Sequence, residues 1–211
     1  MLSRRQSEFR VIVLCALSVN LIVLFHSGST VGNSAPRTGG KPDDGLAAWQ
    51  QVYSVLTSPR CINCHTATNY PQQGDDRHRH FANVVRGPAG KGVPGLNCVS
   101  CHQETNADST GVPGGPNWHL APLSMRWQDA NDQPLSSAAV CRALIDRSKN
   151  NGLDGLALLK HHTEEALVLW AWNPGRKTDG SLRSVPPIGH AEFVAATRTW
   201  IAAGTPCPAE K

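Results

Sequence analysis

Two pentapeptides hold the reactive side chains of this sequence: Cys61-Ile-Asn-Cys64-His65 and Cys98-Val-Ser-Cys101-His102. In each, two thiols stand about one helical turn apart and an imidazole follows directly. Such a pair can add to the two vinyl groups on one edge of a porphyrin, and the adjacent imidazole can then bind iron from beneath the ring. The pattern is a c-type haem attachment signal. It predicts two haem c groups, held covalently by Cys61, Cys64, Cys98 and Cys101, with His65 and His102 as proximal ligands.

Two CxxC pairs could instead give the four thiolates of a zinc ribbon. Zinc has no use for a histidine after each pair, and with 9 histidines in 211 residues both would arise by chance roughly once in 500 trials. A thioredoxin-type redox pair would need a βαβ pattern nearby, which the sequence lacks. Haem is the reading that accounts for all six residues.

The sixth ligands are less constrained. After the first motif, His78 lies between Arg77 and Arg79, whereas His80 leads into the apolar run Phe81-Ala82-Asn83-Val84-Val85 and is expected on the first iron. After the second motif stand His119 and Met125, the latter the one methionine beyond the initiator. Thioether ligation would raise the potential of that haem. Met125 is the first choice there and His119 the alternative, because the His102–His119 interval nearly repeats His65–His80 and so suggests a duplicated bis-histidine unit. His161, His162 and His190 stand further off as candidates.

The elements that must position these residues read as helices and long loops. Asp44 can cap a helix over 45–57, ended by Ser58-Pro59 just before the first motif. Residues 66–133 are closely punctuated by Gly and Pro, an irregularity that a prosthetic group organising loops around itself would explain. Farther on, Ser136/Ser137 can open a helix to about 147, and Asp154 precedes one running toward His162. Thr163-Glu164-Glu165 reads as a cap for a helix to Trp172, and a last helix runs from His190 to Ala203 with Gly204 as its stop. The expected fold is mainly α, cytochrome c-like, with little or no sheet. Six tryptophans would serve as core and haem-wall packing.

The N-terminus places Arg4, Arg5 and Arg10 before an apolar run from Val11 to Phe25, which predicts a signal peptide or N-terminal anchor over 1–27. Cys15 is a passenger in that run. A small, polar, Pro-broken stretch over 28–44 predicts a flexible linker. The di-haem domain then occupies 45–208, its haem-binding part 45–133 and its helical part 134–208. Export to an oxidising compartment would leave Cys141 and Cys207, 66 residues apart, to form a disulfide, the alternative being two unpaired thiols. The formal charge of +4 falls to about +2 once the basic leader is set aside, and no basic patch interleaved with aromatics supports nucleic-acid binding.

The phrases CINCH, GDDRHRH, RGPAGKGVPGLNCVSCH, PNWHLAPLSMRW, LVLWAWNPGR and W-x3-GTPCP resemble a family of bacterial di-haem cytochromes labelled isoquinoline 1-oxidoreductase subunit, over roughly residues 49–208. The resemblance implies an electron acceptor for a molybdenum hydroxylase, not an enzyme itself, with His65 and His102 as ligands. Together, motifs and resemblance predict an electron carrier in the periplasm or on the outer face of the bacterial inner membrane. Its partners would be a donor dehydrogenase and an acceptor cytochrome or oxidase, and its membrane contact would come only through an uncleaved N-terminal segment. Two other functions use the same motifs: a di-haem peroxidase-type enzyme with one open iron, and a sensor or structural haem subunit of a membrane complex.

Overall fold

The computed structural model describes residues 41–210; the predicted leader and most of the predicted linker lie outside the described residues. In chain order the helices are α1 (Pro42–Leu56), α2 (Pro59–Ile62), α3 (Cys98–Cys101), α4 (Ser137–Ile145), α5 (Gly155–Glu164), α6 (Ala166–Trp170) and α7 (His190–Ala202). Two hairpins interrupt them: β1 (Gln72–Gln73) pairs antiparallel with β2 (His78–Arg79), and β3 (Gly92–Val93) with β4 (Leu96–Asn97). The described chain is 41% helical and 8% strand, which bears out a helix-rich fold with only small sheets. Among the described residues, no helix is long and apolar enough to cross a membrane.

The scaffold is α1 packed on α7, with α4 beside them. Trp49 and Trp200 are fully buried where the helices meet, their rings 4.9 Å apart, and Val52, Val55, Val140 and Phe193 fill the space around them. Each buried indole N–H finds an acceptor, Trp49 at Ser137 Oγ (2.8 Å) and Trp200 at the Pro206 carbonyl (3.0 Å), which removes the cost of burying a free donor. Close approach is possible because position 45 is glycine: a Cβ there would lie 2.5 Å from that of Ala203. Cys141 and Cys207 form the expected disulfide, which ties α4 to the C-terminal tail.

Local details amend three expected boundaries. α1 begins at Pro42, inside the span read as linker, because proline is favoured at a helix start; Asp43 and Asp44 then lie in the first turn. Ser136 and Asp154 do cap their helices, accepting from Ala139 N–H and Ala157 N–H. Thr163-Glu164-Glu165 is not a side-chain cap: Thr163 donates its hydroxyl back to the Leu159 carbonyl and prolongs α5 to Glu164, and α6 starts afterwards.

The long loops are held by polar stitches. Arg86 is buried and its guanidinium donates to three carbonyls, those of Thr66, Thr68 and Ala121, so one side chain ties its own loop to the segments at 66–68 and 121. Gly90 accepts from Leu120 N–H at 2.9 Å; a Cβ at this position, whose φ is +71°, would fall 2.4 Å from the Leu120 carbonyl oxygen.

Candidate functional site

Both pentapeptides fold the same way. α2 carries Cys61 and α3 spans Cys98 to Cys101, and in each the histidine N–H closes the helical turn on the carbonyl of the first cysteine, His65 to Cys61 at 3.1 Å and His102 to Cys98 at 2.9 Å. This turn puts both thiols and the imidazole of a motif at one cavity. The first cavity, about 290 Å³, is lined by Cys61, Cys64 and His65; the second, about 110 Å³, by Cys98, Cys101 and His102. The four cysteines are free thiols. Burial pushes the Cys61 thiol up to about 12 and that of Cys64 to about 11, and raises that of Cys98.

The two imidazoles share one hydrogen-bonding arrangement. His65 donates Nδ1–H to the Met125 carbonyl at 2.6 Å, and His102 donates Nδ1–H to the Pro113 carbonyl at 2.7 Å. A carbonyl can only accept, so the proton sits on Nδ1 and the lone pair on Nε2. Burial holds both rings in the neutral form, lowering the His65 pKa to about 3 and that of His102 in the same direction. A tryptophan then lies flat on each ring: Trp127 on His65, with centroids 3.4 Å apart, and Trp118 on His102 at 4.6 Å, both within 6° of parallel. A neutral imidazole with Nδ1–H on a carbonyl and a free Nε2 is the form that ligates a metal.

The remaining candidates fall differently from the order of the chain. His80 lines the second cavity, not the first: the β1–β2 hairpin returns the chain so that His80 N–H reaches the Pro71 carbonyl (3.0 Å), and its ring stands 5.8 Å from that of His102. Met125 lines the first cavity, not the second, because the chain doubles back across the first motif, where Trp127 N–H donates to the His65 carbonyl at 2.8 Å. Its carbonyl therefore stands behind His65, on the ring side away from Nε2, and its side chain is buried in the core. His119 lines both cavities and spends Nδ1–H on the Asn117 carbonyl at 2.5 Å. His161 and His162 line the first cavity from α5, while His190 donates Nε2–H to the His162 carbonyl at 2.9 Å and is outside it.

Trp118 joins His119 in lining both cavities, so the two motifs face cavities that share part of their wall. Cys98 is near enough to Cys64 for its charge to add to the rise of the Cys64 thiol. Around the first cavity three buried polar atoms have no protein partner: Arg60 Nε, Trp127 Nε1 and Asn150 Oδ1. Arg60 is otherwise paired with Asp75 at 2.6 Å. Around the second, Ala82 and Leu96 leave apolar surface exposed on the lining. Among the described residues, no three His, Cys, Asp or Glu side chains converge on one point that could hold a metal ion by themselves.

Tryptophans were expected in the site wall, and His161 and His162 among the outlying candidates; which tryptophan lies on which histidine was not readable from local sequence, because Trp127 and Trp118 stand at unequal distances along the chain from the motifs they serve. No protein-family model, no curated protein and no solved structure matches the chain.

Proposed function

We propose that this chain is a di-haem c-type cytochrome that carries electrons, in the periplasm or on the outer face of the inner membrane, between a donor dehydrogenase and an acceptor cytochrome or oxidase. The observation that carries the reading is the repeated one: in each motif the histidine gives Nδ1–H to a backbone carbonyl and keeps Nε2 free, at a cavity lined by its own two cysteines. A zinc ribbon would draw the four thiols to one point, and their division between two cavities disfavours it.

The residues present fit haem. Cys61 and Cys64 would hold one group and Cys98 and Cys101 the other, with His65 and His102 as proximal ligands. Arg60 Nε–H and Trp127 Nε1–H, buried without acceptors, suit the carboxylate side chains of a porphyrin, and Leu96 and Ala82 suit its apolar face. Bound haem supplies a one-electron iron couple. The chain's part is to attach it, to set its ligand basicity through the Nδ1–H bonds, and to keep water from the first site behind Leu158, Phe193 and Trp172. The shared wall at Trp118 and His119 brings the two sites close enough for an electron to pass within the molecule. The second motif, with Cys101 exposed, is the better placed of the two to meet a partner. The sequence resemblance suggests a molybdenum hydroxylase as donor.

The test is chemical. Denatured protein should keep its colour through acid–acetone extraction, and its intact mass should exceed that of the chain by two haems. Cys61→Ala, Cys64→Ala, Cys98→Ala and Cys101→Ala together should lose that covalent colour. Extractable haem, or zinc in place of iron, would sink the reading.

A further inference from the structure

We infer that His80 and His102 bind one iron from opposite sides, so that the loop following the first haem motif supplies the sixth ligand of the second haem. This rests on the di-haem reading above and assigns a ligand within it.

Geometry carries the inference. Two imidazoles on opposite sides of one metal, each with its nitrogen about 2 Å from the ion, have ring centres about 6 Å apart. The rings of His80 and His102 are 5.8 Å apart and inclined by 68°, and both line the second cavity. Each spends Nδ1–H on a backbone carbonyl, His80 on that of Phe81 at 2.7 Å and His102 on that of Pro113 at 2.7 Å. Among the described residues neither Nε2 has a hydrogen-bond partner. The two rings are therefore in the same tautomer, each with a free lone pair, at the separation an iron requires.

The backbone around His80 is fixed for this role. Its N–H is bonded to the Pro71 carbonyl at 3.0 Å at the end of the β1–β2 hairpin. Ala82 and Asn83 follow at φ 60° and 53°, two consecutive non-glycine residues in the left-handed region. Such strain persists only where the surroundings over-determine it, and it clusters at functional positions. His119 also lines this cavity, but it is Trp118, not His119, whose ring lies against His102.

Carbon monoxide bound per chain, titrated optically on the reduced haem-loaded protein, separates the assignments. Wild type should bind none at the second haem, and His80→Ala should open one iron per chain more than wild type. Adding His102→Ala to His80→Ala should open no further iron, since both residues serve the same one. Free imidazole should return His80→Ala to a low-spin spectrum. His80→Met guards against poor haem loading of the alanine variant, because it keeps a ligand and should give a near-infrared methionine–iron band. The assignment is overturned if His80→Ala opens no iron, if His119→Ala opens the second one instead, or if the pairing is reversed so that His65 and His80 behave as one site. A wild-type protein without covalent haem would instead remove the functional reading itself.

Discussion

The imidazole of His65 lies flat on the indole of Trp127, ring centres 3.4 Å apart and planes 6° from parallel. His102 repeats the arrangement on Trp118. In one case the tryptophan comes from far along the chain, in the other from a neighbouring loop, so the two sites share a construction without sharing a sequence spacing. An imidazole held by a carbonyl at Nδ1 and by an aromatic face has little freedom to turn, which fixes where Nε2 points.

Truncating these indoles should have unequal costs. Trp127 is 4% exposed, so Trp127→Leu should destabilise the fold by about 2–4 kcal/mol, in the range of large-to-small core substitutions. Trp118 is half-buried, and Trp118→Leu should cost clearly less. Denaturant unfolding of the two haem-loaded variants measures the difference; equal losses would mean that Trp127 is not the buried wall of the first site.

Met125→Leu should leave the visible and near-infrared spectra unchanged. The Met125 carbonyl accepts from His65 Nδ1–H, so the backbone of this residue stands on the side of the ring away from Nε2, where a bound iron would not be. The swap nearly conserves volume and should cost less than about 1.5 kcal/mol. Loss of a methionine–iron band in the variant would return Met125 to the list of axial ligands.

The Cys141–Cys207 disulfide closes a 66-residue separation between a fully buried thiol and the tail. Cys141→Ser with Cys207→Ser should lower stability by about 4 kcal/mol on loop entropy, with some of that offset if the tail stays docked. Thermal melts of the oxidised and doubly substituted proteins read this directly. The haem spectrum should not change, since neither cysteine lines a cavity.

His162 should make the fold sensitive to acid. Its Nδ1–H bonds to Thr197 Oγ1 at 3.0 Å, and burial lowers its pKa to about 3, with His161, His65 and His190 adding to the shift. The unfolded chain takes up a proton below about pH 6.5 that the folded chain refuses until about pH 3. Stability from this group is thus complete above about pH 6.5 and falls as pH drops toward 3, by at most about 1.4 kcal/mol per unit. Denaturant midpoints of wild type and His162→Gln at several pH values in this window test it; parallel lines would exclude His162 as a source of the slope.

What could be read from the sequence depended on whether the signal was local. The CxxCH turns, the caps at Ser136 and Asp154 and the stop at Gly204 are set by neighbouring residues and were all legible. The pairing of Cys141 with Cys207 followed from elimination. Which cavity His80 and Met125 line was not legible, because it depends on how loops 66–97 and 103–133 cross. A local rule assigns His80 to the nearer motif, yet the β1–β2 hairpin delivers it to the farther one, and Trp127 N–H on the His65 carbonyl brings Met125 back to the nearer. The Thr163 cap failed for another reason: its hydroxyl found the Leu159 carbonyl inside the helix before it could open a new one.

The cystine and the four free thiols belong to different elements of the fold, and this division bears on the order of assembly. Its closure needs α4 and the C-terminal tail, while Cys61, Cys98 and Cys101 belong to α2 and α3. The helical scaffold can therefore be locked by an oxidant while the attachment cysteines are still being kept reduced. A thiol pair three residues apart is easily lost to a bond with itself, and that bond would block the porphyrin edge. Maturation on such a chain would run from the scaffold outward, with the loops closing last over a frame already fixed.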